Sequence, residues 1–264
     1  LPERATSLRW EGGRWAVLYT PPAASDEYVI RRLLLADGRT QTVARGVSPA
    51  PAPRGRAVAY LAGDSAGVNL YVWREGAGVQ KVTSNRTIRD LRWSPDARKI
   101  AYVYTPVAHT VASKQIEAGF SLSGHRVAVA AVESGLPASE EIDAPGGRKD
   151  LGLGWRDDHT LVFFTGVSQN GKPAVRAYAY DVSKRRLTVL LDGLPATYFR
   201  GWVSERAAFA MHYADPGSQE FRVVDLGTGD WSLLRFPQPV APALSPDGGA
   251  VAAIGADQRA IYYA

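Results

Sequence analysis

A twelve-residue phrase occurs twice in this chain and constrains its fold more than any other feature. The first copy, residues 91–102, reads LRWSPDARKIAY, and the second, residues 242–253, reads PALSPDGGAVAA. In each copy an apolar stretch leads into Ser-Pro-Asp, where proline presets φ and aspartate caps a tight turn. A second apolar stretch of strand-like composition follows. The phrase therefore predicts two antiparallel strands joined by a short turn.

Weaker copies of the phrase recur along the chain at a nearly constant spacing. Aligned by the residue that ends the first strand, they are anchored at Trp10, Pro51, Trp93, Trp155, Trp202 and Leu244. The steps between anchors are 41, 42, 62, 47 and 42 residues. A four-stranded propeller blade needs about 40 to 45 residues. The spacing predicts an all-β, six-bladed β-propeller that forms a single domain over residues 1–264, with an insertion at 105–124 and a last blade that is incomplete.

Composition excludes several classes of protein. The chain has 264 residues and no cysteine, which excludes disulfides, thiolate metal sites and thiol catalysis. Its net charge of +5 is spread along the sequence, whereas a nucleic-acid-binding protein concentrates its basic residues on one element, so no nucleic acid is expected as partner. No apolar stretch is long enough to span a membrane. Residues 1–4 resemble no part of a signal peptide.

The motifs resemble those of the TolB-like six-bladed propellers, whose WD40-like blades carry a W/F-S-P-D-G phrase followed later by an Ile/Leu-Tyr-Val/Leu strand. Residues 91–102 with 70–73, and 242–253 with 261–262, match well, whereas the phrases at 49–60 and 155–158 are degenerate. The resemblance implies a bacterial protein-binding scaffold outside the cytoplasm, in the periplasm or cell envelope. Similar blades occur in lipoproteins, which allows peripheral or lipid-anchored membrane association. They also form the non-catalytic propeller of prolyl-oligopeptidase-type peptidases.

Loop length predicts which face of the propeller is functional. The connections between second and third strands are expected to be long, at residues 20–27, 63–69, 105–124, 166–173 and 213–219. The Ser-Pro-Asp turns lie on the opposite face and are short. Long loops on a rigid scaffold are where binding residues concentrate. We therefore expect a protein or peptide partner to dock on the long-loop face of a monomer.

The insertion at residues 105–124 is the strongest candidate for that contact. Residues 111–118 are expected to form two helical turns with Gly119 as the C-cap. Ile116 and Phe120 would then face the propeller mouth or a partner. The alternative is a lid or a mobile loop that only covers its own blade. The binding residues predicted here are His109, Lys114, Ile116, Glu117 and Phe120.

The first strand of each blade lines the channel and adds further candidates. A mixed basic and aromatic rim is predicted there, of a composition that suits an acidic peptide or partner loop. For Arg89 and Asp90, the structural alternative is that they form salt bridges between blades. The set is Arg89, Asp90, Lys149, Tyr198, Arg200 and, at the start of the 213–219 loop, Tyr213.

No catalytic or cofactor constellation is apparent. Residues 119–124 read GFSLSG, which misses the Gly-x-Ser-x-Gly spacing of a nucleophile elbow. The four histidines lack metal-ligand spacing. Asp90 and Asp150, the only acids predicted on channel-lining strands, are too few for a calcium ring. The sequence thus favours a non-enzymatic scaffold without cofactor or metal, with a peptidase propeller domain or a stand-alone propeller hydrolase as alternatives.

Overall fold

All regular structure that the molecule shows is β-strand. A computed structural model describes residues 7–11, 15–20, 28–53, 56–65, 67–84, 86–106, 124–133, 139–146, 149, 151–195, 200–203, 207–215, 218–225, 228, 230–236, 240–244, 251–255 and 261–263. The strands within these residues are β1 (Ser7–Glu11), β2 (Trp15–Thr20), β3 (Val29–Leu34), β4 (Thr40–Arg45), β5 (Val47–Pro51), β6 (Ala57–Asp64), β7 (Gly67–Arg74), β8 (Gly78–Lys81), β9 (Arg86–Trp93), β10 (Lys99–Pro106), β11 (Arg126–Ala131), β12 (Ser139–Ile142), β13 (Leu153–Trp155), β14 (Thr160–Gln169), β15 (Lys172–Asp181), β16 (Arg186–Pro195), β17 (Arg200–Val203), β18 (Ala207–Asp215), β19 (Ser218–Asp225), β20 (Trp231–Phe236), β21 (Val240–Leu244), β22 (Val251–Gly255) and β23 (Ile261–Tyr263).

Consecutive strands pair in antiparallel meanders. β1–β4, β13–β16 and β17–β20 each form a four-stranded sheet in chain order, and β21–β23 form a three-stranded one. β5–β12 form one eight-stranded sheet. It consists of two meanders, β5–β8 and β9–β12, joined where Val68 of β7 meets Thr87 of β9 in parallel pairing. The all-β prediction and the repeat of four-stranded units are therefore correct, while the number of blades stays a prediction.

Four of the six predicted anchors are the last residues of first strands, and Trp10 and Trp202 each lie one residue before the end, in β1 and β17. Pro51, Trp93, Trp155 and Leu244 are the last residues of β5, β9, β13 and β21. Trp93 is buried, and its indole N–H donates a 2.9 Å hydrogen bond to the carbonyl oxygen of Ala50 in β5. This tryptophan therefore ties the first strand of one meander to the first strand of the preceding one.

The Ser-Pro-Asp turn between β9 and β10 is held by its own polar side chains. The Ser94 hydroxyl donates to the Asp96 carboxylate at 2.6 Å and accepts the Lys99 amide at 2.9 Å. The same carboxylate oxygen accepts the Arg98 amide at 3.0 Å. Ala97 takes the left-handed conformation, φ 60°, that glycine occupies more easily. These bonds use the polar atoms of the phrase within the turn, so the phrase is structural.

Three of the predicted long loops are wrong. β6 and β7 pair as far as Asp64 and Gly67, β14 and β15 as far as Gln169 and Lys172, and β18 and β19 as far as Asp215 and Ser218. Only two residues therefore connect the strands of each pair, where longer loops were expected at 63–69, 166–173 and 213–219. At the second turn both Asn170 and Gly171 have positive φ, 52° and 74°, as type I′ hairpins require.

The strands simply continue beyond their buried part. The burial pattern of β14 is apolar and buried up to Val167, then exposed for its last two residues. Polar and glycine residues in these outer portions are typical of loops, and the sequence does not show that the pairing of the strands continues through them. Residues 21–27 and 107–123, which make up most of the other two predicted loops and the predicted helix at 111–118, lie outside the described residues.

The chain divides into two compact units. The first is Leu1–Glu117 with Val127–Ile142, and the second is Ala118–Arg126 with Asp143–Ala264. In the first, Leu70, Leu91, Ile100 and Tyr102 belong to a buried cluster between the β5–β8 and β9–β12 meanders. In the second, a cluster on the β13–β16 sheet includes Val162, Phe164 and Val175. Burial of aliphatic and aromatic side chains at about 25 cal/mol per Å² drives the assembly of each unit.

Candidate functional site

The site lies at the end of the β9–β12 meander where β10 ends at Pro106, just before segment 107–123 in the sequence. There β9 begins at Arg86, which is paired with Pro106. We call this the loop-side end, and the end that carries the Ser94–Arg98 turn the turn-side end. Since the main predicted binding segment starts here, the side chains at this end form the fixed part of the candidate site.

Arg86 is the centre of a polar and aromatic network at the loop-side end. Its guanidinium lies 4.2 Å from the ring centroid of Tyr104 and 5.4 Å from that of Tyr102. It also donates a short hydrogen bond to the Tyr102 hydroxyl, which in turn bonds the Ser139 hydroxyl. The Tyr104 hydroxyl donates to Glu141 Oε2 at 2.5 Å. The network thus joins β9, β10 and β12.

Small side chains on the intervening strand allow this network to form. β11 lies between β10 and β12, and its Ala128 and Ala130 are paired with Glu141 and Ser139. Both alanines are fully buried in the same cluster as Tyr102 and Tyr104. Because a methyl group leaves room above the strand, the two tyrosines reach across β11 to the polar groups of β12.

Burial keeps both tyrosines protonated. It raises the pKa of Tyr104 to about 12, with a further contribution from the hydrogen bond to the anionic Glu141, against the opposing effect of Arg86. Burial also raises the pKa of Tyr102, although its bond with Ser139 and the charge of Arg86 act in the opposite direction. Around neutral pH the network therefore presents one cation, Arg86, on two neutral rings, with Glu141 as its counter-charge.

Arg89 stands on a β-bulge beside this network. Val103 of β10 pairs with Asp90 and Tyr104 pairs with Ile88, which leaves Arg89 as the extra residue of β9. Its side chain is exposed. A bulge bends the strand and redirects the side chain next to it, and bulges are frequent near binding sites. Asp90 makes a 2.5 Å ion pair with Arg92 of the same strand.

The remaining predicted residues are distributed over other elements. Lys149 is buried, and its ammonium donates to the carbonyl oxygens of Gly146 at 2.9 Å and His125 at 3.2 Å. Arg200 begins β17 and Tyr213 lies near the end of β18, so both stand at one end of the β17–β20 sheet. The others lie outside the described residues, namely His109, Lys114, Ile116, Glu117, Phe120 and Tyr198.

Sequence reasoning missed the network around Arg86. One signal was present, because Tyr102 and Tyr104 are two residues apart in a predicted strand and therefore share a face. Their partners on β12 could not be identified, since the fourth strand at 139–142 was not predicted. Among the described residues, no group of three or more histidine, aspartate or glutamate side chains is placed to hold a metal ion.

Comparison by sequence yields nothing, since no family model and no curated protein matches the chain. Comparison by structure gives clear neighbours. TolB from Acinetobacter baumannii superposes with a TM-score of 0.58 at 15% identity, over 98% of this chain and 65% of TolB. The propeller domain of the trilobed protease from Pyrococcus furiosus, which has an open velcro topology, superposes with a TM-score of 0.68 at 13% identity. The match covers 98% of this chain and 81% of that domain. A prolyl endopeptidase superposes with a TM-score of 0.69 at 15% identity, over 98% of this chain and 39% of the endopeptidase.

The chain has a β-propeller fold. The resemblance to TolB-like propellers is thereby confirmed at the level of the fold. The chain spans 65% of TolB and 39% of the prolyl endopeptidase. These neighbours include both TolB and parts of peptidases, and a fold by itself assigns no function. No helix among the described residues has the length and apolar character needed to cross a membrane.

Proposed function

We propose that this propeller is a non-enzymatic scaffold that binds an acidic segment of a protein partner at the loop-side end of its third blade, β9–β12. The observation that carries the proposal is the placement of Arg86, held on two tyrosine rings, next to the exposed Arg89. Arginine and tyrosine are the residue types that dominate protein interfaces energetically. We further propose that this activity is located outside the cytoplasm, which the resemblance to TolB-like propellers supports.

The network gives the surface an advantage in affinity. A long side chain such as arginine loses rotamer freedom when a partner immobilises it, which costs about 0.5–1.5 kcal/mol. Arg86 is already fixed by its hydrogen bond to Tyr102 and by stacking on Tyr104. An incoming carboxylate would therefore meet a pre-ordered cation, with the exposed Arg89 as a second one.

The wider surface that we propose follows the sequence prediction. It consists of the segment 107–123, with His109, Lys114, Ile116, Glu117 and Phe120, together with Asp90, Tyr198, Arg200 and Tyr213 as further contacts. Lys149 has a different role in this proposal, because its ammonium is engaged with carbonyl oxygens of its own unit. Its contribution is to hold together His125, Gly146 and Lys149 of the second unit.

The experiment is site-specific crosslinking. A photoreactive amino acid placed at Arg89 should capture one discrete partner from the source organism, and the same label at Arg39, which is 78% exposed on the turn-side end of the first sheet, should not. Replacing residues 107–123 with a short Gly-Ser linker should leave the folded protein intact and abolish the capture at Arg89. Equal capture at both positions, or capture unaffected by the replacement, would refute the proposal.

A second function is favoured by one specific observation, the similarity of this chain to peptidase propellers over 98% of its length. In that case the propeller would belong to a larger prolyl-oligopeptidase-type enzyme. The natural gene distinguishes the two functions. An α/β-hydrolase segment encoded in the same reading frame would establish the peptidase, and its absence from the complete gene would leave the scaffold.

A further inference from the structure

The turn-side end of the first unit contains a groove between the β5–β8 and β9–β12 meanders. Its cavity volume is about 770 Å³, within the range of ligand sites in proteins. Three turns contribute to it, namely the one before β6, the one between β7 and β8 and the Ser94–Arg98 turn, together with the residues that follow β11. The lining residues are Ala52, Arg56, Ala57, Arg74, Glu75, Ala77, Asp96, Ala97 and Glu133.

The groove is built from small and fixed groups. Four of its lining residues are alanines, which keep the space between the turns open. Arg74 spans the two meanders, because its Nη2 donates to the carbonyl oxygen of Val132 at 2.6 Å. Asp96 is held in its turn by Ser94 and the Arg98 amide. The walls therefore keep their positions without a ligand.

Two exposed arginines lie at the rim of the groove, and each pairs with a carboxylate through Nε. Arg56 is 81% exposed and approaches Glu75 through Nε at 3.5 Å. Arg98 is 63% exposed and approaches Glu133 through Nε at 3.1 Å. Within the described part of the chain, the Nη groups of these two side chains make no hydrogen bond to protein. Such a pair of Nη donors matches the two oxygens of a carboxylate.

The charges at the groove favour an anionic ligand. Its three carboxylates, Glu75, Asp96 and Glu133, already face cations of the same unit. Two arginines line the groove with them, and three further cations outside the lining pair with the same carboxylates, so the groove together with these partners has an excess of two positive charges. These cations are Arg32, Arg56, Arg74, Arg98 and Lys99.

We propose that this groove is a second binding site, which takes an extended peptide segment carrying two acidic side chains. One carboxylate is bound by the Nη fork of Arg56 and the other by that of Arg98, while the alanines accept the aliphatic part of the peptide. The site is independent of the loop-side surface, because its residues lie at the opposite end of the strands. The ion pairs of Arg56 with Glu75 and of Arg98 with Glu133 are exposed and contribute little free energy, so they do not prevent the two arginines from binding the peptide carboxylates.

The probe is an acetylated and amidated Glu-Ala-Glu-Ala-Glu peptide, followed through the amide resonances of Ala77 and Ala97 in the isotope-labelled protein. We expect saturable shifts at these amides. Arg56→Gln or Arg98→Gln should each weaken binding at least five-fold, and the double variant more than twenty-fold. Arg39→Gln is the matched control. It is equally exposed and also paired through Nε, with Asp37, but lies outside the groove, so its affinity should stay within two-fold.

Three outcomes would overturn the proposal. The first is the absence of shifts at Ala77 and Ala97. The second is an equal loss of affinity in Arg39→Gln, which would indicate attraction to the basic protein as a whole. The third is equal binding of a Gln-Ala-Gln-Ala-Gln peptide, which would show that carboxylates are not recognised. If inorganic phosphate shifts the same two amides while the Glu peptide does not, the first outcome applies, and the groove is assigned to phosphate.

Discussion

The guanidinium of Arg86 stacks 4.2 Å from the ring centroid of Tyr104, and the hydroxyl of that same ring donates to Glu141 two strands away. One aromatic side chain therefore separates a cation from its counter-charge and fixes both. This arrangement links β9, β10 and β12 at the loop-side end, where β10 ends at Pro106. The stability of the meander and the pre-ordering of the proposed surface both depend on it.

Arg86→Met should destabilise the protein by about 1–2 kcal/mol, because it removes a cation–π contact and a hydrogen bond to Tyr102 while keeping the aliphatic stem. The measurement is urea unfolding followed by circular dichroism. Arg89→Met is the control, since this side chain is exposed on the bulge, and it should stay within about 0.5 kcal/mol of the wild type. Equal losses in the two variants would show that the network does not contribute to stability.

The repeated phrase predicted the strand framework well for a physical reason. A Ser-Pro-Asp turn carries its own hydrogen bonds, and the strands on either side are buried and apolar, so both are encoded locally. Pro51, Trp93, Trp155 and Leu244 accordingly end their strands as predicted. The loops at 63–69, 166–173 and 213–219 were mispredicted because the outer ends of long strands are exposed, and exposure removes the apolar signal that identifies a strand.

The candidate site was less predictable than the fold, because its contacts join residues far apart in sequence. Arg89 was identified from its place on a channel-lining strand, but the bulge that sets it apart depends on its register with β10. Tyr104 and Glu141 are 37 residues apart and meet only because Ala128 lies between them. No local pattern encodes such a contact, since pairing of β11 with β12 creates it.

Gly46→Ala should destabilise the first unit by about 2 kcal/mol or more, as overpacking of a filled space does. Gly46 has a φ of 155°, and a Cβ there would lie 2.5 Å from the carbonyl oxygen of Leu61. Gly63→Ala is the matched control in β6, the strand that also contains Leu61, because nothing lies within 4 Å of its Cβ position. Thermal unfolding of the two variants checks the prediction, which fails if both melt alike.

Ala97→Gly should stabilise the protein by about 0.5 kcal/mol. The left-handed φ of 60° at Ala97 costs an L-residue about 1–2 kcal/mol, and glycine avoids this cost. Glycine also has more conformational entropy in the unfolded chain, which cancels part of that gain but not all of it. The second copy of the phrase has Gly248 at this position. Ala57→Gly, at a buried strand position, should be destabilising, so chemical denaturation of the pair should give opposite signs. A loss of stability in both would contradict the interpretation of Ala97.

Tyr104 should make the protein less stable as the pH rises above 10. Its pKa in the folded state is raised from 10.0 to about 12, first by burial and then by the bond to Glu141. Between these values the folded protein keeps a proton that the unfolded chain has released, so the free energy of unfolding falls with increasing pH. This contribution is fully present below pH 10, and Tyr104→Phe should flatten the decline between pH 10 and 12.

Glu141→Gln separates the two causes of that shift. Removing the negative charge should lower the pKa of Tyr104 below 12 but not to 10.0, because burial of the ring remains. The titration of the tyrosine ring ¹³Cζ resonances measures this directly. Tyr60 is an internal control, since burial and Tyr71, not Glu141, raise its pKa to about 12. If the pKa of Tyr104 is unchanged, or if the pKa of Tyr60 changes in parallel, the hydrogen bond to Glu141 does not set the charge state of the network.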